Sequence, residues 1–227
     1  MQKLVVLTGA GISAESGIKT FRDAGGLWEG HDIMEVASWQ GWVKNRELVL
    51  DFYNQRRRNL KDSKPNSAHF ALAELQKKYE VTIITQNVDN LHEQAGSQKI
   101  VHLHGELTKS RGTIRPHNVC EIEGTELNLG DKCEKGSQLR PHIVWFGEEV
   151  PEMEIAMEIT SQADILLIIG TSMVVYPAAS LLNYASLNIP IYYIDPNIPD
   201  FKFGKNVVHI KEKATVGMEV FMTKHLP

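Results

Sequence analysis

Two cysteines in 227 residues are too few for a disulfide framework, so a chain of this length must hold together through a buried core. Basic excess is also missing. Its 24 Lys and Arg against 28 Asp and Glu give a net charge of −4, which leaves no electrostatic footprint for nucleic acid. The clustered Arg56 to Arg58 sit among acidic neighbours. Apolar runs are short, and the longest, such as Ile165 to Ile169, fall far below the roughly 20 residues of a membrane-spanning helix. Met1 leads straight into Leu4-Val5-Val6-Leu7, without the basic region, apolar region and cleavage site of a secretory leader. There is no internal repeat, low-complexity tract or heptad pattern. These absences predict a cytoplasmic chain with no nucleic-acid and no membrane partner, and a monomer by default.

What is present is a set of short β-branched apolar runs that read as strands buried on both faces. They are Leu4 to Leu7, Val81 to Thr85, Ile165 to Ile169 and Ile189 to Ile194, with weaker ones at Ile100 to His102 and Asn206 to Ile210. Helical patterns lie between them, at Ser67 to Tyr79 and at Ala178 to Ser186 after Pro177. The alternation predicts an α/β fold with a doubly wound, Rossmann-like parallel sheet. Two stretches interrupt it: residues 24–65 are helical and rich in Trp and Arg, and residues 105–141 are polar and hold both cysteines. They predict a smaller domain made from two insertions, with residues 1–23, 66–104 and 142–227 forming the large one. The second insertion has little core of its own and is expected to depend on docking against the large domain.

The first strand runs into Gly9-Ala10-Gly11-Ile12-Ser13-Ala14. Such a Gly-x-Gly-x-x-Ala turn lets backbone N–H groups approach a pyrophosphate at a helix N-terminus, although glycines at this spacing also serve a tight turn with no ligand. A dehydrogenase would continue with a helix, a strand and an acidic residue for the adenosine ribose. Here the chain continues as Ser16-Gly17-Ile18-Lys19-Thr20-Phe21-Arg22-Asp23, bringing an aromatic ring and a guanidinium near the phosphates.

Gly9-Ala10-Gly11-Ile12-Ser13 followed by Gly17-Ile18-x-x-Phe21-Arg22 resembles the opening of a sirtuin. Thr85-Gln86-Asn87-Val88-Asp89, His102-Leu103-His104-Gly105, Trp145-Phe146-Gly147-Glu148 and Gly170-Thr171-Ser172 resemble later sirtuin motifs in the same order along nearly the whole chain. The resemblance implies NAD as cofactor and acylated lysine, in a protein or peptide, as substrate. It assigns catalysis to His104 and Asn87, with His104 the base that activates a ribose hydroxyl; an imidazole suits this because it accepts a proton near neutrality. It gives the cofactor Gly9, Ala10, Gly11, Ile12, Ser13, Thr20, Phe21, Arg22, Gln86, Asn87, Asp89, His104, Gly170, Thr171, Ser172 and Asp195. Asp195 stands where the family more often shows Asn, and its carboxylate would favour NAD over NADP by repelling a 2'-phosphate. Val144, Phe146, Gly147, Glu148 and Val174 would flank the substrate as an added strand. Read without the family, Gln86, Asn87 and Asp89 also suit helix capping, and His102 shares a strand face with His104.

Tyr53 and Arg56 lie three residues apart on one predicted helix face, where a guanidinium fork and a phenol together can hold a carboxylate. By pattern alone Arg56 to Arg58 equally fit the solvated face of a helix balanced by Glu47 and Asp51. The resemblance identifies the pair with the Tyr-x-x-Arg feature of sirtuins that remove succinyl, malonyl or glutaryl groups, and the chain is most like their bacterial class III. Sirtuins usually carry structural zinc on two Cys-x-x-Cys pairs. Here Gly136 follows Cys133 at the second position, Gly112 stands where the first pair would begin, and a set of His117, Cys120 and Cys133 lacks a fourth ligand. The expectation is a degenerate zinc-ribbon-like insertion with no metal ligands and no structural zinc. A plain deacetylase, a protein ADP-ribosyltransferase and a non-enzymatic NAD or ADP-ribose sensor are the alternative readings.

Overall fold

The structure is a computed structural model and describes residues 1–19, 27–28, 30–114, 118–197 and 206–226. In chain order its longer strands are β1 (Lys3–Thr8), β2 (Glu80–Thr85), β3 (Ile100–His102), β4 (Gly105–Gly112), β5 (Val119–Glu121), β6 (Leu139–Ile143), β7 (Ile165–Ile169), β8 (Ile191–Ile194) and β9 (Val207–Ile210). Its longer helices are α1 (Arg46–Asp62), α2 (Ser67–Leu75), α3 (Met153–Ser161) and α4 (Ala214–Lys224). A six-stranded sheet runs β9-β8-β7-β1-β2-β3 with every pairing parallel.

The continuous apolar runs follow from burial on both sides. Leu4, Val6, Ile83 and Leu167 face one core with Leu72 and Leu75 of α2 and Met218 and Phe221 of α4. Val5, Leu7, Ile84, Leu166 and Ile168 face the other with Ala156 of α3 and Leu181. Helix α2 starts on Asn66, whose side chain accepts from the Ala68 N–H in a capping box with His69; it ends at Leu75 instead of running to Tyr79. The pattern at 178–186 folds as a 3₁₀ helix, Ala178–Tyr184. Strand β8 begins at Ile191, just after Pro190, which has no N–H for the ladder.

The registers Thr8↔Thr85 and Thr8↔Ile169 bring the carboxyl ends of β1, β2 and β7 level, the position where open α/β sheets bind ligands. The second insertion carries strands of its own. It forms an antiparallel sheet, β5-β4-β6, and shares a core with the first insertion: Trp42, Leu50, Phe52 and Tyr53 pack with Leu107, Leu127, Ile143 and Trp145. Helix α1 is its dock. The Asn54 amide donates to the Leu127 carbonyl at 3.2 Å and its oxygen accepts from the Leu127 N–H at 3.0 Å. Buried Arg57 donates to the carbonyls of Thr125 and Leu107 and to Asn54, and burial pulls its pKa down to about 10.

Candidate active site

Two glycine turns meet at the carboxyl end of the sheet. The Gly9 N–H donates to the Ile169 carbonyl at 3.0 Å and the Gly11 N–H to the Gly170 carbonyl at 2.8 Å. A Cβ on Gly9 would lie 2.7 Å from the Thr171 Cβ, and one on Gly11 2.6 Å from the Gly170 Cα. Gly170 has φ +61°, and a Cβ there would overlap the Ile12 amide nitrogen. Only glycine lets the two backbones approach this closely. Gly170→Ala is therefore expected to destabilise the fold by about 1–3 kcal/mol, as thermal unfolding would register.

Polar side chains lock the next turn onto this pair of loops. Asn87 donates through Nδ2 to the Gly9 carbonyl at 3.1 Å and to Ser13 Oγ at 3.2 Å. Ser13 donates to Asp89 Oδ2 at 3.0 Å, and the Leu91 N–H donates to Asp89 Oδ1 at 3.2 Å. Burial raises the Asp89 pKa against those two bonds. Gln86 donates to Thr171 Oγ1 at 3.0 Å, tying β2 to the Gly170 loop. Beneath them, buried Thr8 bonds Thr85 at 2.8 Å and contacts His92 Nε2 at 3.1 Å.

His104 contacts the Gln86 carbonyl through Nδ1 at 3.0 Å. A carbonyl can only accept, so Nδ1 carries the hydrogen and Nε2 keeps its lone pair. Burial lowers the pKa of the ring, outweighing the opposing effect of that bond. His104 is therefore a neutral imidazole with an available acceptor nitrogen at neutral pH.

On α1 the three consecutive arginines have three environments. Arg56 lies over the Trp28 ring at 4.1 Å and lines a small cavity with Gly17, Ile18, Lys19, Asp89 and Leu107. Arg57 is the buried dock described above, and Arg58 makes an exposed pair with Glu126 at 2.7 Å. Of the three, only Arg58 fits the solvated face. Tyr53 is fully buried in the aromatic core, and its oxygen accepts from the Trp145 indole N–H at 3.0 Å. Desolvation pushes its pKa up to about 12, so it stays a neutral phenol, and Arg56 lies within electrostatic reach of both Tyr53 and Asp89.

Residues 9–177 match the model of the Sir2 family. The chain belongs to the Sir2 family. It is 59% identical over 224 residues to an NAD-dependent protein deacylase of Helicobacter pylori, covering 99% of this chain and 95% of that protein. Among solved structures it superposes on a Sir2 homologue in complex with NAD at a TM-score of 0.87 and 41% identity, covering 96% of this chain and 86% of the other. A Sir2 protein solved with a deacetylated p53 peptide and 3'-O-acetyl ADP-ribose matches at a TM-score of 0.81 and 28% identity, covering 98% and 93%.

Within this sirtuin the Trp145-Phe146-Gly147-Glu148 segment follows β6 and reaches the first insertion. The Val144 N–H donates to the His104 carbonyl and the Phe146 N–H to the Ala37 carbonyl, both at 2.9 Å. Phe146, Gly147 and Val174 are exposed. The Glu148 side chain, read from sequence as a substrate contact, turns inward. It accepts from Arg140 at 2.6 and 2.9 Å, from Arg111 at 3.2 Å and from the Trp145 N–H at 2.9 Å. Arg140 is itself buried against the Trp145 ring at 3.3 Å. Glu148→Ala leaves that arginine without its counter-charge and is expected to cost about 3–5 kcal/mol, measurable by denaturant unfolding. Burial works against the Glu148 charge, but the arginines hold its pKa below the usual carboxylate value. That stability is present above the unfolded pKa and is lost as pH falls through the depressed folded one.

Asp195 is buried at the end of β8, where its Oδ1 accepts from the N–H of Asn197 at 2.9 Å and from the Asn197 amide at 3.1 Å. Ser172 follows Thr171 in the Gly170 loop and is partly buried. Thr20, Phe21, Arg22 and His117 lie outside the described residues. In the second insertion Cys133 Sγ contacts Ser137 Oγ at 3.1 Å, beside Gly112. Cys120 is exposed on β5. Among the described residues no group of three His, Cys, Asp or Glu is placed to hold a metal ion, and no helix is long and apolar enough to cross a membrane. A larger cavity of about 420 Å³ opens at the opposite end of the sheet. It is lined by Lys3, Glu80 and Lys99, with Lys99 paired to Glu80 at 2.8 Å, and is remote from His104.

Sequence reasoning missed Arg140 and Arg111, which hold the Glu148 turn, and the Asn54–Arg57 dock. A guanidinium at 2% exposure has the same letter as a solvated one, so no local signal reveals it.

Proposed function

We propose that this sirtuin removes acyl groups from protein lysines with consumption of NAD, preferring acidic groups such as succinyl and malonyl to acetyl. We infer further that it acts in the cytoplasm as a monomer, on protein and not nucleic acid. The observation that carries the reading is His104, a neutral imidazole with a free Nε2, seated between the Asn87 turn and the Val144 backbone. The residues suit NAD: the Gly9, Gly11 and Gly170 backbones approach so closely that a Cβ on any of them would overlap the facing loop, which leaves main chain and not side chains at this end of the sheet. Bound there, NAD would offer the anomeric carbon to the acyl oxygen as nicotinamide leaves.

The chain's own part is binding, orientation and proton handling. Gly9 to Ser13 and Gly170 to Ser172 would receive the diphosphate and adenosine side, and Asp195 a ribose hydroxyl. Asn87 and Asp89 would fix the nicotinamide end. His104 Nε2 would take the proton of a ribose hydroxyl, and its depressed pKa keeps the ring ready as a base at neutral pH. Val144 to Gly147 and Val174 would hold the peptide through its backbone. Arg56, on the cavity it shares with Asp89, would pair with the carboxylate of a succinyl or malonyl group, with the Tyr53 phenol as a further donor.

The test is nicotinamide release from NAD with succinyl-lysine and acetyl-lysine versions of one peptide. Faster release with succinyl supports the deacylase and its acyl preference. Equal rates remove the acyl preference, and no turnover with either peptide removes the deacylase.

A further inference from the structure

The chemistry above uses His104 and gives no part to His102, two residues earlier. His102 ends β3, and its side chain is only 9% exposed. Its Nδ1 faces the Asn87 carbonyl at 3.2 Å and its Nε2 faces Glu93 Oε1 at 2.7 Å. A carbonyl and a carboxylate have no hydrogen to offer, so the ring satisfies both only by carrying a hydrogen on each nitrogen. His104, with one acceptor, needs only one. Two similar histidines are thus driven to opposite protonation states by the backbone and side-chain oxygens around them.

The surroundings agree. Burial opposes a charged His102, but the bonded Glu93, Glu106 on β4 and the Asn87 carbonyl outweigh it and raise its pKa. Among the described residues, Asp89 in the same turn and His92 also lie within electrostatic reach of His102, and Lys109 within reach of Glu93. Burial leaves His92 neutral, with a pKa of about 3, and the Lys109 ammonium is engaged by Glu106 at 2.8 Å. The two partners of His102 bracket the turn that carries the site: Asn87 opens it and Glu93 closes it, on the short helix Leu91–Gln94.

We propose that His102 is a positioning residue: held as an imidazolium between the Asn87 carbonyl and the Glu93 carboxylate, it clamps the Asn87–Glu93 turn to β3 and fixes Asn87 and Asp89 at the nicotinamide end of the site. The inference rests on the deacylase reading. Its consequence is a division of the pH profile. Activity falls on the acid side as His104 gains a proton and on the alkaline side as His102 loses one, because deprotonation removes a hydrogen that one of the two oxygens needs.

Glu93→Gln tests this, since it keeps the shape of the side chain but removes the charge that holds the His102 proton. In kcat/KM for NAD against pH, the alkaline limb is expected to move to lower pH in the variant while the acid limb stays in place. On the alkaline side the variant should lose on the order of tenfold, mostly through KM. In parallel, NMR of histidine-labelled protein should show the His102 ring protonated through the active range and titrating earlier in Glu93→Gln. An alkaline limb that does not move, or a His102 ring that is neutral where the enzyme is active, overturns the clamp. If the wild type turns over no acyl peptide, the deacylase reading fails, and the clamp is judged on NAD affinity: equal, pH-independent affinity in the two proteins overturns it.

Discussion

Replacing His104 with alanine is expected to lower NAD-dependent deacylation by about a thousandfold, within the range for loss of a positioned general base, while NAD still binds. The reason is local. The Nδ1 hydrogen is committed to the Gln86 carbonyl, so alanine removes the one nitrogen able to take a proton and leaves the glycine turns and Asn87 in place. Single-turnover assays beside a binding titration would separate the two effects. Because burial lowers the His104 pKa, the acid limb of the wild-type profile should lie below the ordinary imidazole value. An unchanged rate in His104→Ala would require a different base, and a rate loss matched by loss of NAD binding would mean that the ring serves the fold.

Arg56→Met is the second large effect. Its guanidinium lies on the Trp28 face and borders the cavity near Asp89; methionine keeps the apolar stem and removes the charge. Loss of a charge-assisted pair with an acyl carboxylate should cost about 2–3 kcal/mol, roughly a 30- to 150-fold fall in kcat/KM for succinyl-lysine. Acetyl-lysine has no carboxylate and should change little. Tyr53→Phe is the weaker companion, because Tyr53 is fully buried and its oxygen already serves the Trp145 N–H, so part of its effect would appear as lost stability. Parallel loss on both peptides in Arg56→Met would assign Arg56 to the packing of α1 and not to the acyl group.

The central strands were legible in the sequence because burial on both faces forces an unbroken apolar run, and a strand such as Ile165–Ile169 has no other means of packing. Edges were less legible, since an N–H missing at Pro190 or a 3₁₀ turn at Ala178–Tyr184 alters the hydrogen bonds and not the hydropathy. The glycine turns could be placed because close backbone approach restricts the residue type strongly, whereas His104 was reached only through the resemblance of its motif. The three arginines show the limit: their surroundings are set by Trp28, by carbonyls at Leu107 and Thr125, and by Glu126, with the last 68 residues away from Arg58. The inward turn of Glu148 was hidden for the same reason, because Arg111 and Arg140 lie on different strands.

Strand β1 precedes the other strands of its sheet in the sequence, yet it occupies the interior of that sheet, where its second neighbour is β7 at Ile165–Ile169. Until the ribosome has delivered that stretch, one edge of β1 has no partner, and the Gly9 and Gly11 N–H groups lack the Ile169 and Gly170 carbonyls that receive them. Closure over so long a loop is slow relative to local folding. The nascent chain must therefore carry an exposed apolar edge until β7 emerges, which is the circumstance in which chaperones are needed. The two glycine turns cannot meet before β7 has joined the sheet, so a ligand that binds across them selects molecules in which that strand is in place from those in which it is not.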